Sequence, residues 1–479
     1  MHQHIHRIAL VAHLFFCAAA ISPFHVAVVH RHGARNTIVN VNQSGVCPSF
    51  HAPNGGCGTL TVEGKDMLYH LGLFLGSSYG AHGGLFEEAI HSSYDSTRFV
   101  SRSTDVGRTI QSGSAMIRGL FSSLEGTPQR AYPVLHNRPT SQDVALLVWN
   151  GNPSVVLWMD IMQDDLLQFL NQHTLELFEG NTTLLEEIGR EIGLLDECTP
   201  SDPERWAPFQ CGLDIQDAVN CALSAGFAAE RYPTGVANFE QLTKILEDYN
   251  AYTMWGIDNM ENGGKYQAAT GTLGFVLAQE IIETGVAAAA AARTTSSPYV
   301  LLNHYSGHDT TLMPLWMTLG NDSLTNPLFG AAMIFEFYFV SADDDSSHSD
   351  SDVWVRARIG APGQLPGDHN YTFEWYQLYC VNTDGSTYRP DAEMGCPLAD
   401  WNAFVQLQGP SINIPNAGAG GASCYYDEAW MASVNCTPQD TVSTTSDPSS
   451  KICRDFRTNC INACGQHHAM TSHLDCVAI

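Results

Sequence analysis

Basic residues are scarce in this sequence, and lysine is almost absent. The chain has 22 lysines and arginines against 50 aspartates and glutamates, a formal net charge of −28, and only 4 of the basic residues are lysines. Proteins that bind nucleic acid or an anionic membrane need a basic face, because counterion release supplies much of their affinity. The composition argues against both kinds of partner and makes the positions of the 18 arginines informative.

Long apolar segments are also rare after the N-terminus. The best candidate to cross a bilayer, "GTLGFVLAQEIIETGVAAAAAA", carries Glu280 and Glu283 in its middle. Carboxylates are costly inside a membrane. We therefore expect no transmembrane segment in the mature chain.

The N-terminus itself has the pattern of a secretory signal peptide. Arg7 precedes an apolar run from Ile8 to about Ile21, with "AAA" near its end. This pattern predicts a signal peptide at residues 1–20 and a protein that is secreted or lies in a lysosome-like acidic lumen. The alternative is a buried N-terminal strand of a cytosolic protein. Export agrees with five N-x-Ser/Thr glycosylation sequences, which begin at Asn42, Asn181, Asn321, Asn370 and Asn435.

The cysteine count also favours an oxidising compartment. The chain has 14 cysteines, and removal of Cys17 with the signal peptide leaves an odd number. One thiol is then either free or paired between chains, which leaves a homodimer open. Cys380 and Cys396 are candidates for a disulfide in the core.

Metal-binding motifs are missing where histidines and arginines lie next to each other in the sequence. No H-E-x-x-H sequence and no zinc-type Cys/His spacing accompanies these histidines. Histidines beside several arginines would also hold a metal cation against like charge. We therefore expect neither a metal nor another cofactor where these histidines and arginines lie.

What the sequence does contain is a concentration of charged side chains where predicted strands end. In an open parallel sheet, ligands bind beyond the carboxyl ends of the strands, and guanidinium groups match the oxygens of phosphate. The sequence therefore predicts a phosphate pocket at this edge. Three corners supply its residues, namely Arg31, His32 and Arg35 in "HVAVVHRHGARNT", Arg102 in "SRSTDVGRT", and His308 and Asp309 in "YSGHDTTL".

These three motifs resemble those of the histidine acid phosphatases, branch 2 of the histidine phosphatase superfamily, and most closely the prostatic and lysosomal type. "RHGARNT" is similar to the family's R-H-G-x-R-x-P, "SRSTDVGRT" to R-S-T-D-x-x-R-T, and "YSGHDTTL" to S-x-H-D-T-T. The resemblance runs in order from Phe24 to about Cys424. One departure is Thr37, which stands where the family usually has proline, and we expect it to loosen the corner after Arg35.

The resemblance implies roles for six residues. His32 would be the nucleophile that forms a phosphohistidine, and Asp309 would protonate the leaving alcohol. The phosphoryl oxygens would be held by Arg31, Arg35, Arg102 and His308. A different role for His308 and Asp309 is that of a helix N-terminal cap.

The pattern of strands, corners and helices predicts an α/β fold with a mixed, largely parallel central sheet flanked by helices. Residues 21–135 and 294–424 would form a discontinuous core, and residues 136–293 a mainly helical insertion. Residues 425–479 would be a cysteine-rich tail. The cysteines of this tail favour disulfides, and the alternative is a zinc knuckle that uses His467, His468 and His473.

Three functions remain open from the sequence. The first is a secreted acid phosphatase that hydrolyses small phosphate monoesters, and the second is a phytase or other inositol-phosphate phosphatase of the same family. A phytase needs an extended cationic rim, which the helical insertion does not supply, so the first is favoured. The third is a non-catalytic phosphate-binding protein, which would not need both His32 and Asp309.

Overall fold

The computed structural model describes most of the predicted core. It covers residues 22–38, 56–80, 84–124, 126–127, 132–148, 167–194, 198, 207–226, 228–255, 273–294, 299–320, 325–340, 352–363, 367–408, 468–470 and 476–478. The predicted signal peptide, most of the C-terminal tail and the sequons at Asn42, Asn321 and Asn435 lie outside the described residues.

A mixed sheet forms the centre of the fold. Its strands run in the order β10-β6-β5-β1-β4-β2-β3, with β7 also paired to β6. The pairs β1–β4, β4–β2 and β2–β3 are parallel, and the pairs on the other side of β1 are antiparallel. The described strands are β1 His25–Arg31, β2 Phe99–Ser103, β3 Leu135–His136, β4 Leu302–Gly307, β5 Ala332–Phe339, β6 Val353–Pro362, β7 Tyr371–Tyr376, β8 Cys380–Val381, β9 Thr387–Tyr388, β10 Cys396–Pro397, β11 His468–Met470 and β12 Cys476–Ala478.

Helices cover both faces of this sheet, so the predicted α/β fold class is confirmed. A further helical stretch occupies residues 167–177. The described helices are α1 Val62–Tyr79, α2 Glu87–Ser92, α3 Gly107–Leu120, α4 Thr182–Ile192, α5 Pro208–Ser224, α6 Ala228–Arg231, α7 Pro233–Ala237, α8 Phe239–Trp255, α9 Phe275–Ala292, α10 Asp309–Thr318 and α11 Leu398–Leu407.

Strand β1 is buried along its whole length, as its β-branched sequence predicts for a central strand covered on both faces. Because side chains alternate along a strand, Val26 and Val28 pack against one hydrophobic core and Ala27 and Val29 against the other. The first core contains α1 and α3, and the second contains α9, α10 and α11.

The register of the sheet brings two of the predicted corners together. Arg31, the last residue of β1, is paired with Gly307, the last residue of β4. The backbone N–H of His32 then donates to the carbonyl of Gly307 at 2.9 Å. As a consequence, His32 and His308 follow neighbouring parallel strands at the same edge of the sheet.

A close approach of two backbones supports the first corner. A Cβ atom on Gly33 would lie 2.0 Å from the carbonyl oxygen of Gly64, near the start of α1. The hydroxyl of Thr61, which caps α1, donates to the carbonyl of Ala34 at 2.9 Å. The corner after β1 is therefore packed directly on the N-terminus of a helix, where a larger residue than glycine does not fit.

Every described secondary-structure element between residue 167 and β4 is a helix. Helices α4 to α8 follow one another there without an intervening strand. Their apolar side chains, including Leu185, Ile215 and Ile245, belong to the first core. The boundaries of a helical insertion at residues 136–293 stay a prediction.

Helix α9 carries the apolar run noted in the sequence. Among the described helices, α9 is the one whose length and apolar composition would allow it to cross a membrane. Its side chains at Leu277, Ala278 and Ile281 are buried in the second core. In this structure α9 therefore serves as a core helix.

The predicted disulfide between Cys380 and Cys396 is present. Cys198 and Cys211 form a second one, and Cys57 is also disulfide-bonded. Among the described cysteines, Cys221 is a buried free thiol.

Candidate active site

A cavity of about 530 Å³ lies at the carboxyl ends of β1 and β4. One wall comes from these strand ends and from the first turns of α3 and α10. Other lining residues come from α5 and α8. The lining includes five of the six predicted site residues, namely Arg31, His32, Arg35, His308 and Asp309.

The ring of His32 is oriented by its own corner. Its Nδ1 lies 2.9 Å from the carbonyl oxygen of Gly33, to which it donates. This bond places the hydrogen on Nδ1 and leaves the lone pair on Nε2. Burial, together with the charges of Arg31 and Arg108, holds the pKa of His32 well below 6.5. His32 therefore remains a neutral imidazole in mildly acid solution.

The neighbouring His30 has a different place. Its Nδ1 donates to the carbonyl of Arg31 at 2.9 Å, and its Nε2 lies 2.8 Å from Nε2 of His304. Burial lowers the pKa of His30 to about 4. His30 therefore belongs to a neutral histidine pair inside the sheet and supports the backbone at Arg31.

Arg31 joins the first corner to the third. Its guanidinium forms an ion pair with Asp309 at 2.7 Å, donates to the carbonyl of Pro327 and lies over the ring of Phe329 at 4.4 Å. These three contacts hold the buried, charged guanidinium group of Arg31 in one orientation in the cavity lining.

Asp309 begins α10 and has contacts that fit both roles considered from the sequence, a proton donor and a helix N-terminal cap. Its Oδ1 accepts the backbone N–H of Thr310 at 2.8 Å, and its Oδ2 accepts Arg31. Burial opposes the charge, but Arg31 holds the pKa of this carboxyl below its usual value. The side chain is 23% exposed, so a ligand in the cavity can reach it.

Arg35 is paired with a residue that the sequence analysis did not identify. Its Nη2 lies 2.7 Å from Oδ1 of Asp217 on α5. Oδ2 of Asp217 accepts the hydroxyl of Thr37 at 2.6 Å and the backbone N–H of Ile38 at 2.8 Å. The expectation that Thr37 loosens the corner is therefore wrong, because its hydroxyl ties the buried corner to α5.

The structure does not bring Arg102 together with the other predicted residues. Its guanidinium donates to Glu280 at 2.6 Å and to the fully buried carboxylate of Asp143. These two carboxylates raise its pKa against the effect of burial. Arg102 is thus held by two carboxylates, and it is not among the described residues that line the cavity.

Arg108, the second arginine of "SRSTDVGRT", is the arginine of this motif that lines the cavity. It lies in the first turn of α3 and lines the cavity. Burial and the nearby charges of Arg35 and Arg31 lower its pKa to about 10. Within the described part of the chain it makes no ion pair with a carboxylate, so its charge is available to an anion.

His308 is held between Arg108 and the rest of the second motif. Nη2 of Arg108 lies 3.4 Å from Nδ1 of His308, which accepts. Nε2 of His308 donates to the hydroxyl of Thr104 at 3.0 Å, and this hydroxyl bonds that of Thr109 at 2.7 Å. Burial and the charge of Arg108 lower the pKa of His308 to about 3, so this ring is also neutral.

Together, these residues place three guanidinium groups and two neutral imidazoles around one cavity. The centroids of the His32 and His308 rings are 5.4 Å apart. No group of three or more His, Cys, Asp or Glu side chains that could hold a metal ion occurs in the described ranges. The donor set therefore suits a small oxyanion next to a neutral nucleophilic nitrogen.

Comparisons with known proteins agree with this site. Residues 24–359 match the family described as the histidine phosphatase superfamily, branch 2. Lysosomal acid phosphatase from Xenopus laevis is 26% identical over 423 residues, which cover 83% of this chain and 80% of that protein. Prostatic acid phosphatase from Mus musculus is 24% identical over 314 residues, 65% of this chain and 74% of that protein.

Solved structures of phytases share the fold. The phytase from Citrobacter braakii matches with a TM-score of 0.52 at 15% identity, over 81% of this chain and 98% of that one. The Hafnia alvei phytase in complex with tartrate matches with a TM-score of 0.52 at 16% identity, over 83% of this chain and 100% of that one. Since the family match spans most of the described core, the chain belongs to branch 2 of the histidine phosphatase superfamily and is a phosphatase of that family.

Proposed function

We propose that this enzyme hydrolyses small phosphate monoesters at acid pH through a phosphohistidine on His32. The observation that carries the proposal is the neutral imidazole of His32 facing a cavity lined by three arginines. An ordinary histidine is largely protonated at pH 5 and has no lone pair to attack with. The depressed pKa of His32 keeps the nucleophile available there.

The reaction has two steps. Nε2 of His32 attacks phosphorus, the bond from phosphorus to the leaving oxygen breaks, and that oxygen takes a proton from Asp309. Water then attacks the phosphohistidine and gives its proton to the Asp309 carboxylate. Inorganic phosphate takes this proton from Asp309 and leaves, which returns His32 to a neutral imidazole and Asp309 to a carboxylate.

Arg31, Arg35 and Arg108 would stabilise the charge on the phosphoryl oxygens during both steps. We assign to Arg108 the contact that the sequence predicts for Arg102, because Arg108 lines the cavity. His308 would hold the Arg108 guanidinium in place and border the phosphoryl group with an uncharged ring.

The ion pair between Arg31 and Asp309 sets the direction of the pH dependence. It keeps Asp309 ionised in the free enzyme, so the proton for the leaving group must arrive with the substrate. A phosphate monoester carries that proton below its second pKa of about 6. Once phosphoryl oxygens share Arg31, the carboxyl loses part of its cationic partner and accepts the proton more readily.

The helical segment would act as a cover for the pocket. The lining of the cavity includes Gln210, Leu213 and Asp217 of α5 and Leu246 and Tyr249 of α8. We therefore keep residues 136–293 as a substrate-facing unit and residues 21–135 and 294–424 as the core. A secreted or lysosome-like location is supported by the names of the relatives.

A phosphate-release assay tests the proposed function. We expect the purified enzyme to hydrolyse nitrophenyl phosphate and glycerol phosphate after dialysis against a strong chelator. We also expect kcat/KM to fall about tenfold per pH unit above pH 6, as the substrate loses its proton. A metal requirement would contradict the mechanism, and phytate as the sole substrate would favour the phytase alternative.

A matched pair of arginine variants tests the corrected assignment. Arg108→Ala is expected to lower kcat/KM by about 10² to 10³-fold, because a guanidinium that meets the oxyanion is lost. Arg102→Ala removes the ion-pair partner of Asp143 and Glu280 and is expected to lower the melting temperature instead.

Phosphate inhibition and thermal unfolding of both variants separate the two roles. The inhibition constant for phosphate should rise in Arg108→Ala, with the melting temperature near that of the wild type. A larger loss of phosphate affinity in folded Arg102→Ala would restore the original assignment.

A further inference from the structure

The three cavity arginines differ in what they are paired with. Arg31 is paired with Asp309, and Arg35 with Asp217. Arg108 has no carboxylate partner within the described residues. Asp309 belongs to the reaction, whereas Asp217 comes from α5, outside the three motifs. An anion that binds Arg35 must therefore compete with the Asp217 carboxylate for this guanidinium.

The carboxylate of Asp217 is held firmly in this position. It accepts three short hydrogen bonds, from Arg35 at 2.7 Å, Thr37 at 2.6 Å and the backbone of Ile38 at 2.8 Å, and the thiol of Cys221 donates to its Oδ1 at 4.0 Å. Its side chain is only 14% exposed. Burial opposes its charge, but these three donors keep its pKa below the usual value. Asp217 thus remains a fixed negative charge on the cavity wall at acid pH.

The rest of this wall does not compensate for that charge. The α5 residues that line the cavity are Gln210, Leu213, Asp214, Gln216, Asp217 and Asn220. They include two carboxylates and no basic side chain. A ligand with one phosphoryl group can place it among the arginines and direct a neutral leaving group at this wall. A ligand with several phosphoryl groups would have to place some of them against Asp217.

We infer that Asp217, fastened by Thr37, is a specificity-determining residue that selects substrates with a single phosphoryl group and rejects polyphosphorylated ones. The inference rests on the proposed function, because it requires the phosphoryl group to bind beside Arg35. Asp217 acts by competing for Arg35 and by repelling additional anionic groups.

A purely structural role for Asp217 leads to the opposite result. If the carboxylate only positions Arg35, its removal disorders the guanidinium and weakens binding of every anion. If it competes with the ligand, its removal strengthens binding, and most strongly for the ligand with most charges. The sign of the change in affinity therefore distinguishes the two roles.

The test is calorimetric titration with two ligands that the enzyme does not hydrolyse, inorganic phosphate and myo-inositol hexakissulfate. Asp217→Asn keeps the size of the side chain and an oxygen for Thr37 or Ile38. We expect it to bind phosphate about threefold tighter and the hexakissulfate at least about thirtyfold tighter than the wild type. Thr37→Val, which removes the hydroxyl that donates to Asp217, should shift the ratio of the two affinities in the same direction by a smaller factor.

Asp214→Asn is the matched control. It removes the same charge from the same helix and the same cavity, but its Oδ1 accepts Gln210 at 2.7 Å, whereas Asp217 is paired with Arg35. The ratio of its affinities for the hexakissulfate and for phosphate should differ from the wild-type ratio by less than about threefold. An Asp217→Asn ratio equal to that of the wild type, or weaker binding of both anions, would overturn the inference alone. A wild type that binds no phosphate would overturn the proposed function and the inference together.

Discussion

Replacement of His32 by alanine is expected to lower kcat for every phosphate monoester by at least about 10⁴-fold. The variant loses the nitrogen that accepts the phosphoryl group, and no other imidazole in the described cavity has the same position. Arg31, Arg35 and Arg108 remain, so inorganic phosphate should still bind. Turnover and phosphate titration on the same preparation measure both effects.

An exposed histidine provides the control for this experiment. His91→Ala on α2 removes an imidazole from the surface and should keep full activity. The proposed role of His32 would be contradicted by a folded His32→Ala variant that retains more than about a tenth of the wild-type rate. Loss of phosphate binding as well would mean that His32 contributes to binding rather than to attack.

Replacement of Asp309 by asparagine should separate substrates according to their leaving groups. Asparagine keeps the size of the side chain and an oxygen for the Thr310 N–H, but it cannot donate an acidic proton. We expect the rate with glycerol phosphate to fall about 10³-fold, because an alkoxide leaves poorly without a proton. With nitrophenyl phosphate the loss should stay below about tenfold, since nitrophenolate leaves readily.

The comparison must be made where phosphorylation of His32 limits the rate. Single-turnover measurements with both substrates meet this condition. A helix-capping role for Asp309 leads instead to equal losses for the two substrates, accompanied by a lower melting temperature. Such equal losses would leave the proton donor unidentified.

The sequence was most informative where a motif follows a buried strand. Strands β1 and β4 end side by side, because Arg31 is in register with Gly307. Since the carboxyl ends of parallel strands meet at one edge of a sheet, the two corners had to lie together. The grouping of His32, Arg31, Arg35, His308 and Asp309 could therefore be anticipated, although their roles remain proposals.

The choice between Arg102 and Arg108 could not be made from strand ends alone. Arg102 is the fourth residue of β2, and its side chain leaves the sheet toward Glu280 of α9. Arg108 is the second residue of the next helix, and the first turn of a helix that follows a parallel strand faces the ligand. The spacing of the motif contained this signal, but the directions of the side chains were needed to use it.

Asp217 could not have been found from the sequence at all. It lies 180 residues from Thr37, with which it bonds, and 182 residues from Arg35. The contact depends on how α5 packs over the corner after β1, which no local pattern encodes. The same packing explains why Thr37 ties the corner down instead of loosening it.

The covalent intermediate is the central claim of this account, and trapping it is the most direct test. The enzyme would be mixed with an excess of nitrophenyl phosphate at pH 5 and quenched within milliseconds into alkaline denaturant, which preserves phosphohistidine. Peptide mapping by mass spectrometry would then locate the phosphoryl group. We predict one phosphoryl group on His32 in the wild type and none in His32→Ala. A phosphoryl group on another residue, or the same labelling in His32→Ala, would contradict the mechanism.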